Sequence, residues 1–164
     1  MHLHQAPDAD ALITNIPGVA IMVKQADCQG IILFDPVERA VAVVHSGWRG
    51  SVINIVGKTV QKMCSDFGSL AENIHAAIGP SLGPCCAEYV TYRDIFPPHF
   101  CGYLKGDAHF DFWKITETQL EDSGLDRENI EKAGVCTRCS TGQFYSHRGE
   151  GITGRFGTVA MIKK

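Results

Sequence analysis

The sequence predicts an α+β fold: a mixed β-sheet sandwich flanked by helices, in a single domain spanning residues 1–164. Three observations lead there. Short β-rich apolar runs outnumber helical ones, one long run keeps an unmistakable three-and-four spacing, and no internal repeat, low-complexity tract or charge block divides the chain. At 164 residues the chain is long enough to bury a core without disulfide staples.

Gly18 to Ala26, Ile31 to Phe34 and Ala40 to Val44 are apolar runs punctuated by Gly30 and by Asp35-Pro36, which reads as three strands in quick succession. From Ser51 the period changes. Val52, Ile53, Val56, Val60, Met63, Cys64 and Phe67 recur at three and four residues and Gly68 supplies a stop, predicting one amphipathic helix of about four turns. Ile74 to Ile78 is the next buried strand and runs into the turn-rich stretch GPSLGPCCAEY. Tyr89 to Asp107, with Pro97-Pro98, is expected to be mostly irregular. Phe110 to Ser123 has a helical spacing of Phe112, Trp113, Ile115 and Leu120, with Gly124 after it. Gly134 to Thr137, Gln143 to His147 and Gly157 to Ile162 are expected to close the fold as strands.

Composition narrows the function classes. A formal net charge of -3 provides no basic field for nucleic acid or an anionic membrane, and no apolar run reaches the roughly 18 residues needed to span a bilayer. Residues 1–10 lack the basic-then-apolar order of a signal peptide. Seven cysteines, an odd count with one adjacent pair, suit a reducing cytoplasm, where thiols pack or bind metal. A small, local ligand is the expected partner.

The chemistry concentrates around VHSGWRG, residues 44 to 50 counted back from Gly50, where an apolar strand runs straight into His45, Trp48 and Arg49. A helix beginning after Gly50 puts Arg49 at a helix N-terminus, where free N–H groups, the dipole and a guanidinium fork favour an anion. The alternative is an Arg49 paired with a structural carboxylate and a Trp48 buried in the core. A lone histidine at a strand end is commonly a hydrogen-bonded core residue, but Cys28 ends the preceding strand in KQADCQG. If the two strands carry both residues to one sheet edge, the pair is either a metal site or a cysteine nucleophile with its base. Cys136 and Cys139 form a single CxxC without a second pair, and Cys85-Cys86 are adjacent; packing is expected for all four. Arg148 and Arg155 lie in SHRGEGITGR, either a solvated hairpin tip or a second cationic arm over the same pocket.

The segments ADALIT, ADC, HSGWRG, IGPSLGPCC, FDFW, CTRC and FYSHRGEGITGR occur in the order found in the laccase-domain family, also described as multicopper polyphenol oxidases and as purine nucleoside phosphorylases, and the chain resembles that family over nearly its whole length. The resemblance implies a divalent metal, zinc or alternatively copper, held by a His–Cys–His set, with Cys28 and His45 at two of the three positions and in catalytic roles. It implies phosphorolysis of adenosine, inosine or methylthioadenosine with phosphate, with adenosine deamination as a side activity, Arg49 and Arg148 being the substrate contacts. The family's first histidine sits in a QVHG-like motif well upstream of its ADAL stretch, too far for His2 or His4 to match. The expectation is therefore an N-terminally shortened member, or a chain with its upstream part missing, that lacks the third ligand. Copper-dependent oxidation of phenols, a hydrolase with Cys28 as nucleophile, and an inactive scaffold are the competing readings. Oligomeric state and purine preference are not legible.

Overall fold

The computed structural model describes residues 9–164, so His2 and His4 lie outside the described residues. The chain forms β1 (Ala11–Thr14), β2 (Ala20–Gln25), β3 (Gln29–Asp35), β4 (Ala40–Ser46), α1 (Trp48–Val52), α2 (Ile55–Phe67), β5 (His75–Ile78), α3 (Tyr92–Ile95), β6 (Leu104–Lys105), β7 (His109–Phe110), α4 (Phe112–Asp122), β8 (Ile130–Lys132), α5 (His147–Glu150) and β9 (Phe156–Met161). A five-stranded sheet runs in the order β1-β4-β3-β5-β8, antiparallel except for the parallel β5–β8 pair. The ribbon β2–β9 is a separate antiparallel pair, and β6–β7 is a short one.

Alternation along β4 explains the layers. Ala40, Ala42 and Val44 enter a core with Val56, Val60 and Met63 of α2 and Leu120 of α4, while Val41 and Val43 point the opposite way and are also buried. Both faces of β4 are thus covered, by helices on one side and by the β2–β9 ribbon on the other, which is the sandwich expected from the sequence. Gly30 permits that second layer: a Cβ there would meet Thr158 Oγ1 at 2.1 Å and Gln25 Nε2 at 2.4 Å. A second, aromatic core gathers Phe96, Phe100, Phe110 and Phe112 with Leu82 and Ile115.

Several expectations need correction. The helix predicted from Ser51 onward is two helices, because Asn54 adopts a left-handed conformation (φ 52°) and caps α2 by accepting the Gly57 N–H at 3.0 Å. Gly134 to Thr137 is not a strand; only an isolated bridge joins Cys136 to Ser81, and the pairing with β5 is made earlier, by β8. Gln143 to His147 forms turns leading into α5, whose cap is the Ser146 hydroxyl accepting the Gly149 N–H. The segment 89–107 is less irregular than expected, holding α3, a 3-10 turn at Pro98–Tyr103 and β6.

Helix α4 is tied to β8 through Glu117, buried and within 2.8 Å of Lys132, 3.3 Å of Arg127 and 3.5 Å of Lys114. Burial pushes its carboxyl up, but the Lys132 and Arg127 cations outweigh this and hold it below the ordinary carboxylate range. Glu117→Ala leaves three cations around an apolar hole and should lower stability in urea by about 2 kcal/mol. Since the folded-state value is depressed, this contribution is present above about pH 4.3 and lost as pH falls further. Urea titrations of both chains at neutral and acid pH measure the difference.

Candidate active site

In the β3–β4 hairpin Gly30 pairs with His45 and Gln29 with Ser46, so position 28 lies diagonally across the ladder from His45 at the same end of the sheet. The Cys28 and His45 side chains line the same cleft, and both residues are half-buried. Gly47 is needed for this approach, because a Cβ there would sit 2.9 Å from Cys28 Sγ. The third member comes from a strand the sequence did not reveal. Pairing of Ala11 with Val44 sets Asp10 beside His45, whose backbone N–H donates to the Asp10 carbonyl at 2.7 Å and whose Nδ1 lies 2.9 Å from Asp10 Oδ1. With Nδ1 occupied by a carboxylate, Nε2 is the ring nitrogen left to act as a ligand or base, the arrangement that orients metal-binding histidines.

Hydrogen bonding to Cys28 is the main effect that raises His45, burial opposes it, and Asp10 adds to the rise; the result is a value of about 9 against an ordinary 6.5. The charged imidazole therefore stabilises the metal-free fold fully below about pH 6.5, and that contribution is lost as pH rises through about 9. A metal would take the neutral ring, so metal affinity at this residue should climb over the same interval. An NMR titration of the His45 ring in the metal-free chain is expected to give a midpoint well above 6.5; a midpoint at or below 6.5 would contradict the geometry.

Cys28 borders two clefts. One, of about 60 Å³, has an aromatic and apolar wall of Trp48, Leu82, Tyr89 and Phe112 beside Asp27, Gln29 and Ser46. The other, of about 360 Å³, is lined by Lys24, His45, His147 and Arg155 along with Gln25 and Cys28. The Gln29 side chain fastens the α4 end of the aromatic cleft, donating to the Phe112 carbonyl at 2.9 Å and accepting the Thr116 hydroxyl.

Arg49 is exposed on α1 and stacks on its neighbour, with Cζ 4.2 Å from the Trp48 ring centroid. Because α1 is only five residues long, the helix dipole expected to assist Arg49 is smaller than a four-turn helix would supply. Arg148 reaches the aromatic cleft: its Cζ lies 5.3 Å from the Tyr89 ring, its guanidinium donates to the Glu88 carbonyl at 2.8 Å, and its backbone N–H donates to Asp27 Oδ2 at 2.6 Å. Arg155 borders the second cleft while donating to the Thr153 and Gly154 carbonyls. Sequence reasoning missed Asp10, Tyr89, Phe112 and His147; for Asp10, recognising ALIT as an edge strand against Ala40 to Val44 would have found it.

Among the described residues no third His, Cys, Asp or Glu gathers its ligand atom with those of Cys28 and His45. His147 borders the same cleft, with its Nδ1 bonded to the Gly151 carbonyl at 2.8 Å. The soft thiolate and imidazole suit zinc or copper, and the Asp10 contact prepares the ring for either, so these two residues fit a metal with part of its ligand set.

The four cysteines expected to pack separately converge instead. Cys85, Cys86, Cys136 and Cys139 bring their sulfurs within 4.8 Å of one another, with Cys139 Sγ 3.7 Å from that of Cys85 and 3.6 Å from that of Cys86. The second pair that CxxC lacked is the adjacent pair in GPCC, brought alongside where Thr137 and Ser81 bond through their backbones. Burial raises the Cys136 thiol, but N–H groups of Cys139 and Gly83 more than offset it, leaving a value lowered to about 7; burial pushes Cys85 up to about 12.

The family model described as "Multi-copper polyphenol oxidoreductase laccase" matches residues 1–163. The chain is 34% identical over 158 residues to mouse "Purine nucleoside phosphorylase LACC1", covering 91% of this chain and 36% of that protein. It is 34% identical over 155 residues to "Adenosine deaminase RL5" of an unknown prokaryotic organism, covering 87% of this chain and 58% of that one. The crystal structure of the Bacillus licheniformis hypothetical protein YfiH superposes with a TM-score of 0.86 at 27% identity over 94% of this chain and 61% of its own. The chain thus spans between about one third and three fifths of the proteins it matches. On the family match along almost all its residues and the shared fold, the chain belongs to the multi-copper polyphenol oxidoreductase laccase family.

Proposed function

We propose that the chain forms the Cys28–His45 portion of a zinc-dependent purine nucleoside phosphorylase that takes adenosine, inosine or methylthioadenosine with phosphate. The observation that carries this reading is the position of the Cys28–His45 pair between an aromatic cleft and one lined by Lys24, His147 and Arg155. A flat purine suits the wall of Trp48, Tyr89 and Phe112, and an anion suits Lys24, His147 and Arg155. Arg148 closes over the base side through Tyr89, and Arg49 offers a further cation beside Trp48. In phosphorolysis the bond between ribose C1′ and the purine nitrogen breaks, a phosphate oxygen bonds to C1′, and the departing base gains a proton. The products are a free purine and ribose 1-phosphate.

Cys28 and His45 would hold the metal, with Asp10 orienting the ring; a bound zinc supplies Lewis acidity and a water of lowered pKa. The chain's cations fix phosphate and sugar, and the aromatic wall excludes water from the bond that breaks. The similarity to a protein named adenosine deaminase supports the second reading, in which an activated water displaces the amino group of adenosine. Oxidation of phenols by several coppers is less well supported, since it calls for histidine-rich centres and the one four-residue cluster among the described residues is all thiol. Seven free thiols suit a reducing cytoplasm.

The experiment is chromatography of products from inosine and adenosine, with and without phosphate. Free purine and ribose 1-phosphate forming only with phosphate supports phosphorolysis, inosine accumulating from adenosine without phosphate supports deamination, and neither product rules both out.

A further inference from the structure

We propose that Cys85, Cys86, Cys136 and Cys139 form a closed metal site that takes a zinc ion as a structural clasp, separate from the Cys28–His45 pair and independent of the reaction proposed above.

The separations carry it. Four thiolates on one zinc at about 2.3 Å define a tetrahedron whose sulfurs stand about 3.8 Å apart. The two edges from Cys139 to Cys85 and Cys86 are 3.7 and 3.6 Å, and the remaining pairs, all within 4.8 Å, need only contract around the ion. Covalent S–S bonds of about 2.05 Å require far closer approach, and all seven cysteines are free thiols here. The ligands come from two segments, Cys136 and Cys139 at the C-x-x-C spacing of structural zinc sites and Cys85 and Cys86 as an adjacent pair.

A second feature is independent of the sulfur spacing. Gly83 presses against the cluster so closely that a Cβ would lie 3.0 Å from Cys136 Cβ and 2.9 Å from the Trp113 ring, and its backbone N–H donates to Cys136 Sγ at 3.3 Å. A backbone donor aimed at one sulfur stabilises a thiolate that bears part of the charge of a four-thiolate site. On binding, the four thiol protons pass to solvent and the four sulfurs fill the coordination sphere, leaving no open position for substrate.

The clasp would brace the cleft wall. Between the two ligands of the CxxC turn, the Thr137 hydroxyl donates to Asp27 Oδ1 at 2.7 Å; Asp27 precedes Cys28 and also receives the Arg148 N–H. On the other arm, Tyr89 follows Cys86 by one turn and lines the aromatic cleft. Joining the arms ties Asp27, Tyr89 and Arg148 to one rigid point.

The test uses the full chain, purified anaerobically and loaded with zinc. Zinc per chain should fall by one equivalent in the double variant Cys136→Ser/Cys139→Ser and remain at the clasp in Cys28→Ser. With cobalt(II) in place of zinc, the intense thiolate-to-cobalt absorption should be lost in the double variant and kept in Cys28→Ser. In the unaltered chain, zinc should slow alkylation of Cys85, Cys86, Cys136 and Cys139 at least tenfold, a chelator should restore it, and exposed Cys101 should not respond. Equal zinc content in double variant and parent, alkylation of the four at the same rate with and without zinc, or recovery of the four as disulfides would each overturn the proposal. Should the double variant fail to fold, the alkylation pattern of the unaltered chain decides alone.

Discussion

Cys28→Ser is expected to lower phosphate-dependent purine release by at least about 100-fold while changing the thermal midpoint little. Replacing residues that merely support a metal ligand costs about 10- to 100-fold, so exchanging a ligand's soft thiolate for a hydroxyl should cost no less. Stability is spared because Cys28 belongs to neither core cluster and sits at the mouth of two clefts. Serine also loses the strong partner that raises His45, so the ring should titrate lower in the variant. Initial rates, zinc content of that site and a melting curve separate the outcomes. Full activity in Cys28→Ser would remove the residue from the site, and parallel loss of fold and activity would make it structural.

Phe96→Ala should produce the largest loss of stability, about 3–5 kcal/mol. Its ring stands 4.8 Å from that of Phe110, 5.1 Å from Tyr89, 5.7 Å from Phe100 and Phe112, and 5.9 Å from Trp48, at tilted or edge-on angles. Because Trp48, Tyr89 and Phe112 also wall the aromatic cleft, the hole opens directly behind the proposed base-binding surface. Where the variant still folds, KM for the nucleoside should rise more than kcat falls, since the loss is in positioning. Urea denaturation and steady-state kinetics measure the two effects; a destabilisation below about 1 kcal/mol would mean the cluster closes over the gap.

The elements legible in the sequence are those whose burial is decided by their own period. Alternating or continuous apolar runs marked β2, β3, β4, β5 and β9, and the spacing of Val56, Val60 and Met63 marked α2. Elements decided by a partner were missed. β1 is four residues long and is a strand because Ala11 to Thr14 pair with β4, and β8 is a mostly exposed IEK that earns its place by pairing with β5. Gln143 to His147 imitates strand alternation, yet the Ser146 hydroxyl serves α5 better as a cap. The break at Asn54 was hidden because Val52 and Ile53 continue the apolar spacing across it. Of the site, Cys28 was expected to end the strand before it, whereas β2 stops at Gln25 and Cys28 leads into β3, opposite the end of β4 that carries His45. The four-cysteine cluster was not legible, since what unites its halves is the backbone pairing of Ser81 with Val135 and Thr137 rather than any spacing along the chain.

The β2–β9 ribbon has a consequence for how the molecule comes into being. Ala20 to Gln25 pair with Phe156 to Met161, so nearly the whole chain lies between the two halves of this ladder. During synthesis β2 must wait, edge open, until β9 has left the ribosome, and closing so long a loop places this step after the local β3–β4 hairpin. The second layer over β4 is therefore added late, and the fold remains one-sided until β9 arrives.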